Sequence, residues 1–317
     1  MKFQQFAVFK NIQPKPIKMK VLRFLLMIAF VQLLTLSAKA QDELLSLFED
    51  EKEVTDYAYA TFKTTRLVYG QSVENPAEGN LLFLIQHNFG ALNSGFYELF
   101  GLDRATIRLG LEYGINDFIM IGAGRSTWEK TYDGFVKVKL LRQSSGARNM
   151  PVSVSYIAAS SVSTLRWRNP ERENYFSSRV SYLHQILIAR KFSSDFSLQL
   201  SPTIIHKNLV PTRSDENTSY ALGVGGRYKL SQRISLNAEY FYYPGKQTTI
   251  DRTDVFSIGI DIETGGHVFQ LHISNGNAMF ERAFITETQG KWNKGDIFFG
   301  FNISRNFVLK KPEEFRK

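Results

Sequence analysis

Residues 105–115 read Ala-Thr-Ile-Arg-Leu-Gly-Leu-Glu-Tyr-Gly-Ile. Ala105, Ile107, Leu109, Leu111 and Tyr113 alternate with Thr106, Arg108, Gly110, Glu112 and Gly114, so an extended chain presents one apolar and one polar wall. The same period returns at Phe196, Leu198, Leu200, Pro202 and Ile204, and at Tyr220, Leu222, Val224, Gly226, Tyr228 and Leu230. It returns again at Ile234, Leu236, Ala238, Tyr240 and Tyr242, and at Ile297, Phe299, Phe301 and Ile303. From Tyr57 onward no stretch holds a helical period.

A soluble sandwich alternates too, and the connections separate the two cases. Strands are expected near 80–90, 104–114, 118–126, 132–142, 151–162, 175–190, 195–206, 218–230, 233–243, 254–263, 267–274 and 296–307. One set of links is mostly tight (115–117, 191–194, 231–232, 264–266), with 143–150 as its long exception; the other is mostly long (91–103, 163–174, 207–217, 244–253, 275–295), with a short member near Trp128. The two sets alternate along the chain. That pattern predicts an all-β fold, a transmembrane up-and-down antiparallel barrel of about 12 strands with short periplasmic turns and longer outer loops. Each strand approaches the ~9–11 residues that cross the hydrocarbon layer at a tilt. Two details run against a regular wall. Pro202 removes a ladder donor and should mark a bulge, and in 180–190 Leu183 and Leu187 compete with Tyr182, Ile186 and Ile188 for the lipid side.

The chain has 317 residues, no cysteine and a formal charge of +9. Disulfides, thiolate metal sites and cysteine nucleophiles are therefore excluded. Lys2, Lys10, Lys15, Lys18, Lys20 and Arg23 precede an apolar run from Phe24 to Leu36 and then Ala38-Lys39-Ala40, the order of a signal peptide over 1–40. Seven of the 39 basic residues and none of the 30 acidic ones fall there, leaving 32 against 30 and a net charge of +2. The basic character thus belongs to an export signal, and nucleic acid is not an expected partner. Residues 41–56 form an acidic periplasmic segment, 57–79 an extra strand or a plug, 80–307 the barrel and 308–317 a periplasmic tail.

The polar phase turns charge toward the lumen: Arg108, Lys137, Lys139, Arg227 and Lys229 are basic, while Glu112, Asp133, Glu239, Asp261 and Glu263 are acidic. Opposed arcs of charge set selectivity in water-filled pores; alternatively Arg108, Glu112, Lys137 and Lys139 pair with one another and close a narrow barrel. Gly110, Gly223, Gly225, Gly259 and Gly300 also point inward and would leave room for a passage. Tyr113, Tyr132, Tyr156, Tyr182, Tyr220, Tyr228, Tyr240 and Tyr242, at strand ends, suit aromatic girdles at the two membrane interfaces. His87, His184, His206, His267 and His272 show no ligand spacing, so no metal and no cofactor is expected. A membrane-embedded lipid hydrolase would need His184 on the outer wall beside Ser160 or Ser161, with no sequence signature for it.

Ala60-Thr61-Phe62-Lys63-Thr64-Thr65-Arg66, Gly70-Gln71-Ser72-Val73-Glu74 and Tyr97-Glu98-Leu99-Phe100-Gly101-Leu102-Asp103 leading into Arg104-Ala105-Thr106-Ile107-Arg108 carry a resemblance. So do Glu129-Lys130-Thr131-Tyr132-Asp133-Gly134, Lys139-Leu140-Leu141-Arg142-Gln143 and Asn208-Leu209-Val210-Pro211. Over roughly 57–307 the chain resembles an uncharacterised bacterial outer-membrane β-barrel family, a domain of unknown function. The resemblance implies a barrel and no established activity. Lys63, Arg66, Glu74, Glu98, Asp103 and Arg104 are more polar than a barrel wall requires and suit a plug or a docking surface. The reading is an outer-membrane passage, passive or gated, for small polar solutes, with membrane lipid as its surroundings. The rival is a non-conducting scaffold whose 275–295 loop makes surface contacts.

Overall fold

The computed structural model describes residues 54–310 apart from 168 and 246–249. Residues 1–40, read above as a signal peptide, most of the acidic segment 41–56 and residues 311–317 lie outside the described residues. Twelve strands close into one antiparallel barrel: β1 Asn80–Ala91, β2 Ala105–Gly114, β3 Ile119–Ser126, β4 Tyr132–Leu141, β5 Ser153–Val162 and β6 Val180–Lys191. The second half is β7 Phe196–Lys207, β8 Thr218–Lys229, β9 Ile234–Tyr242, β10 Val255–Thr264, β11 His267–Ser274 and β12 Phe298–Val308. Each strand pairs with its chain neighbours, and β12 closes on β1 with Val308 opposite Asn80 and Asn302 opposite Gln86. Closure leaves no free edge, which a lipid environment requires.

Alternation sets the faces as lipid demands. In β2, Arg108 and Glu112 are buried inside while Leu109 and Leu111 are about half exposed outside. Tyr132, Tyr182, Tyr220, Tyr228, Tyr240 and Tyr242 all face outward near strand ends.

The structure corrects two expectations and decides one phase that the sequence left open. Pro202 makes no bulge: its pairing with Leu222 keeps register, and opposite β6 the ladder skips between Gln185–Thr203 and Ile188–Leu200 without a shift. The missing donor is simply left out of one ladder. The bulges fall instead between Phe298 and Gly300 and between Lys139 and Leu141. In β6, Leu183 and Leu187 point inward and are buried, while Tyr182 and Ile186 face out. An apolar lumen face is stable there because it packs against the segments inserted into the lumen. Third, the loop proposed as a surface contact folds inward. Within 275–297, the short helix α1 (Glu281–Glu287) buries Ala283, Phe284 and Ile285, and Met279 and Phe280 are buried just before it. About two turns of helix have no independent stability, so packing holds them.

From the periplasmic end, Thr55–Tyr57 pairs with Ser144–Gly146 in the long 142–152 connection. The chain then enters the barrel. Residues 60–75 run up the lumen and reverse at 67–70, where the Leu67 N–H donates to the Gly70 carbonyl (2.9 Å) and the Ser72 N–H to the Thr65 carbonyl (2.9 Å). They return to β1 through Pro76. Phe62, Leu67, Val68, Tyr69 and Val73 share one apolar cluster with Phe280, Phe284 and Ile285 of the outer insert and with Ile157, Leu183, Leu187 and Ile205 of the wall.

Candidate functional site: a septum across the lumen

The inner hairpin and the outer insert meet at Tyr69. Its ring lies 5.7 Å from the Phe284 ring and edge-on to His272 at 5.0 Å. Its hydroxyl donates to the Gly276 carbonyl (3.0 Å) and accepts from the Asn88 amide (2.7 Å). Asn88 in turn meets His272 Nε2 through its Oδ1 at 2.9 Å.

The hairpin tip is held by Glu239. Its carboxylate accepts from three successive main-chain N–H groups, those of Tyr69 (2.7 Å), Gly70 (3.1 Å) and Val68 (3.4 Å). Consecutive N–H groups that converge in this way form an anion-binding concavity. The remaining wall side chains address the hairpin's carbonyls. Gln270 donates to Leu67 (2.9 Å), Asn302 to Val68 (2.8 Å) and Gln199 to Gln71 (2.8 Å), while Lys137 reaches Ser72 (2.9 Å) and Glu74 (2.7 Å). Arg227 holds the entry strand through Ala60 (2.5 Å) and Thr61 (3.1 Å). Among the described residues two side-chain ion pairs anchor the hairpin to the wall: buried Arg66 with Glu112 at 2.8 Å, where Thr65 also donates to Glu112, and Lys63 with Glu263 at the periplasmic mouth.

Every charge singled out in the sequence can now be placed. Arg108 bonds Asp133 (2.9 and 2.5 Å) and Gln86 (2.9 Å) along the wall. Asp261 accepts from Gln270 at 2.8 Å, and Lys229 lies 3.9 Å from Asp195 at the rim. Lys139 sits half-buried at the β4 bulge. Arg108, Glu112 and Lys137 do not pair with one another; the pairs that form run to Asp133 and to the hairpin. The inward glycines make room for inserts and neighbouring side chains, not for a passage. A Cβ on Gly225 would stand 2.3 Å from Leu67 Cδ2, and one on Gly300 only 2.1 Å from Asn88 Oδ1. One on Gly223 would meet the Phe241 ring at 2.4 Å. Of the polar loop residues, Glu74 accepts from the Thr61 N–H (2.8 Å), and Glu98 pairs with Arg104 (2.5 Å).

At the outer mouth, Arg282 of α1 bridges Glu129 (2.8 Å) and Glu287 (2.6 Å), and Lys207 reaches Glu287 (2.9 Å). Burial alone would raise the Glu287 carboxyl; Arg282 and Lys207 outweigh it and hold it below the usual carboxylate range. Burial pushes the Glu281 carboxyl up, with Arg66 and Arg108 opposing.

His184 faces outward with Nδ1 2.6 Å from the Tyr156 hydroxyl, and its cross-strand partner is Ala158. Ser160 stands opposite Tyr182 and Ser161 turns inward, so neither serine sits beside it. Sequence reasoning missed Tyr69 and the amides Asn88, Gln199, Gln270 and Asn302. Amides on the polar phase of mid-strand positions were the available sign that the lumen binds main chain.

A family model described as a membrane bound beta barrel domain (DUF5777) matches residues 62–307, starting inside the hairpin rather than at β1. The chain belongs to this family. No curated protein matches it in sequence. Among solved structures, a NanC porin is similar at 8% identity, covering 73% of this chain and 100% of that one, with a TM-score of 0.47. A KdgM porin in complex with disordered oligogalacturonate is similar at 10% identity, 72% and 99% coverage and a TM-score of 0.45. The CymD monoaromatic hydrocarbon channel is similar at 9% identity, 74% and 90% coverage and a TM-score of 0.38.

Proposed function

We propose that this outer-membrane barrel is a gated passage for small polar solutes, with its outward tyrosines and aliphatic side chains set in membrane lipid, and that the conformation described is its closed state. One observation carries the reading: a crevice with charged residues on its walls opens at each end, separated by the septum at Tyr69. The periplasmic crevice, about 340 Å³, lies between the hairpin and β10–β12, with Lys63, Glu74 and Glu263 on its walls. The outer cleft, about 460 Å³, is lined by Glu129, Lys207, Arg282 and Glu287. The hairpin between them rests mainly on hydrogen bonds from polar wall groups, which water can replace when it leaves.

The test is planar-bilayer recording on the full chain and on a variant in which residues 61–74 are replaced by a short Gly-Ser linker. The intact protein should conduct in rare bursts and the variant steadily. A variant that stays folded, judged by heat-modifiable gel mobility, yet passes no current overturns the passage. The scaffold reading is favoured by one feature, the apolar cluster shared by hairpin, insert and wall, and it predicts that the same variant fails to fold.

A further inference from the structure

The outer cleft is charged beyond what its floor needs. The floor is the neutral set of Arg282 and Lys207 with Glu129 and Glu287. Arg166, Arg172 and Arg179 also line the cleft, so among the described residues five cations face two carboxylates, an excess of three positive charges. Arg179 is held ready: its guanidinium lies 3.7 Å from the Trp167 ring centroid and donates to the Ser163 carbonyl at 3.0 Å. Arg166 and Arg172 are exposed and make no ion pair among the described residues. Glu171 and Glu173 share their loop but are not on the cleft wall, and Glu173 is engaged by the Tyr175 hydroxyl.

We infer that this cleft is the binding site for a small anionic solute, one carrying a carboxylate or phosphate, which the barrel captures on its outer face. Its volume falls within the ~300–1,000 Å³ of small-molecule sites. Planar guanidinium forks bind both anions through paired N–H donors. A lipid phosphate offers the same chemistry; Ser161 and Ser181, both inward-facing, line the cleft, so part of its wall belongs to the lumen side, and the test separates the two sources. The site also touches the gate. Arg282 and Glu287 form its floor and belong to α1, whose Phe284 packs on Tyr69. An anion that draws Arg282 away from Glu287 would loosen the helix that caps the hairpin.

This assigns a solute class to the proposed passage and rests on that reading only for its purpose, because binding is measured without current. The full chain in phosphatidylcholine nanodiscs is titrated calorimetrically with glucuronate and with inorganic phosphate, glucose being the uncharged control. Saturable binding of an anion, absent for glucose and weakened about tenfold or more in Arg166→Ala/Arg172→Ala, supports the site; the two exposed residues leave the fold intact. No anion binding, equal binding of glucose, or an unchanged double variant overturns it. So does binding seen only with lipid A vesicles and not with the soluble anions. Anion binding by a barrel that never conducts would refute the passage and keep the site; conduction without anion binding would do the reverse.

Discussion

Replacing Glu239 by Ala should free the hairpin tip without opening the wall. The carboxylate accepts two good main-chain bonds, at 2.7 and 3.1 Å, and a long third at 3.4 Å. Hydrogen bonds to a charged group are worth ~1.5–3 kcal/mol each, so the tip loses about 3–6 kcal/mol of seating, and its buried N–H groups are left without acceptors. Removing Glu239 also relieves the cost of burying its carboxyl group, which offsets part of the loss in β9 itself. The effect is therefore local. With 1.4 kcal/mol per tenfold, amide exchange at residues 67–71 should accelerate by about 10²–10⁴, while exchange in β8–β10 stays unchanged. Glu239→Gln keeps one acceptor and should show roughly half that free-energy change. Exchange at 67–71 that does not move in the Ala variant, in a protein that retains folded gel mobility, would refute the idea that Glu239 holds the tip.

Three further outcomes follow from the same geometry. Arg66→Ala strands Glu112 inside the barrel and should cost ~3–5 kcal/mol in urea unfolding; adding Glu112→Gln should return much of it, and a double variant no better than the single removes the pair from the account. Gly300→Ala drives a Cβ to 2.1 Å from Asn88 Oδ1 and 2.6 Å from the His87 carbonyl, for a loss of ~1–3 kcal/mol, whereas Gly134→Ala, 3.7 Å from its nearest neighbour, should stay within ~0.5 kcal/mol; equal losses in the same denaturation assay would refute this. The Glu287 carboxyl is held below the usual carboxylate range, so its pairing is fully present above that range and is lost only as pH falls through the lowered value; the Trp128 indole, which donates to Glu287 at 3.1 Å, should report this as an acid fluorescence shift absent from Glu287→Gln.

The wall was legible in sequence because lipid enforces it: a polar side chain at Leu109 or Leu111 would meet hydrocarbon, so the period survives in nearly every strand. It blurred at Leu183 and Leu187, where the inner face meets packed protein and both faces are apolar. Charge at Arg108, Glu112, Lys137 and Glu239 was legible as inward, but not its partners. Glu112 and Glu239 bind a segment that precedes the barrel by a chain separation no local pattern records. The glycines misled for the same reason: room at Gly225 is visible in sequence, and the Leu67 that occupies it is not.

The seat of the hairpin escaped reading, although 57–79 was already marked as an extra strand or a plug, because the wall recognises its main chain. Gln270, Asn302, Gln199, Lys137 and Arg227 all donate to carbonyls, and Glu239 takes N–H groups, which any residue there would supply. Such a seat is indifferent to most hairpin side chains and specific for an extended, reversing backbone, as strand-addition sites are. Its side-chain specificity is concentrated at Arg66 and at Tyr69, and Tyr69 is also where the outer insert rests. The hairpin and α1 therefore share one apolar contact, so withdrawing either exposes Tyr69 or Phe284 to water. In the proposed gate that shared cost couples the two: once one has left, the other is held by fewer contacts, which would link an anion at Arg282 on the outer face to a hairpin anchored by Glu239 from within.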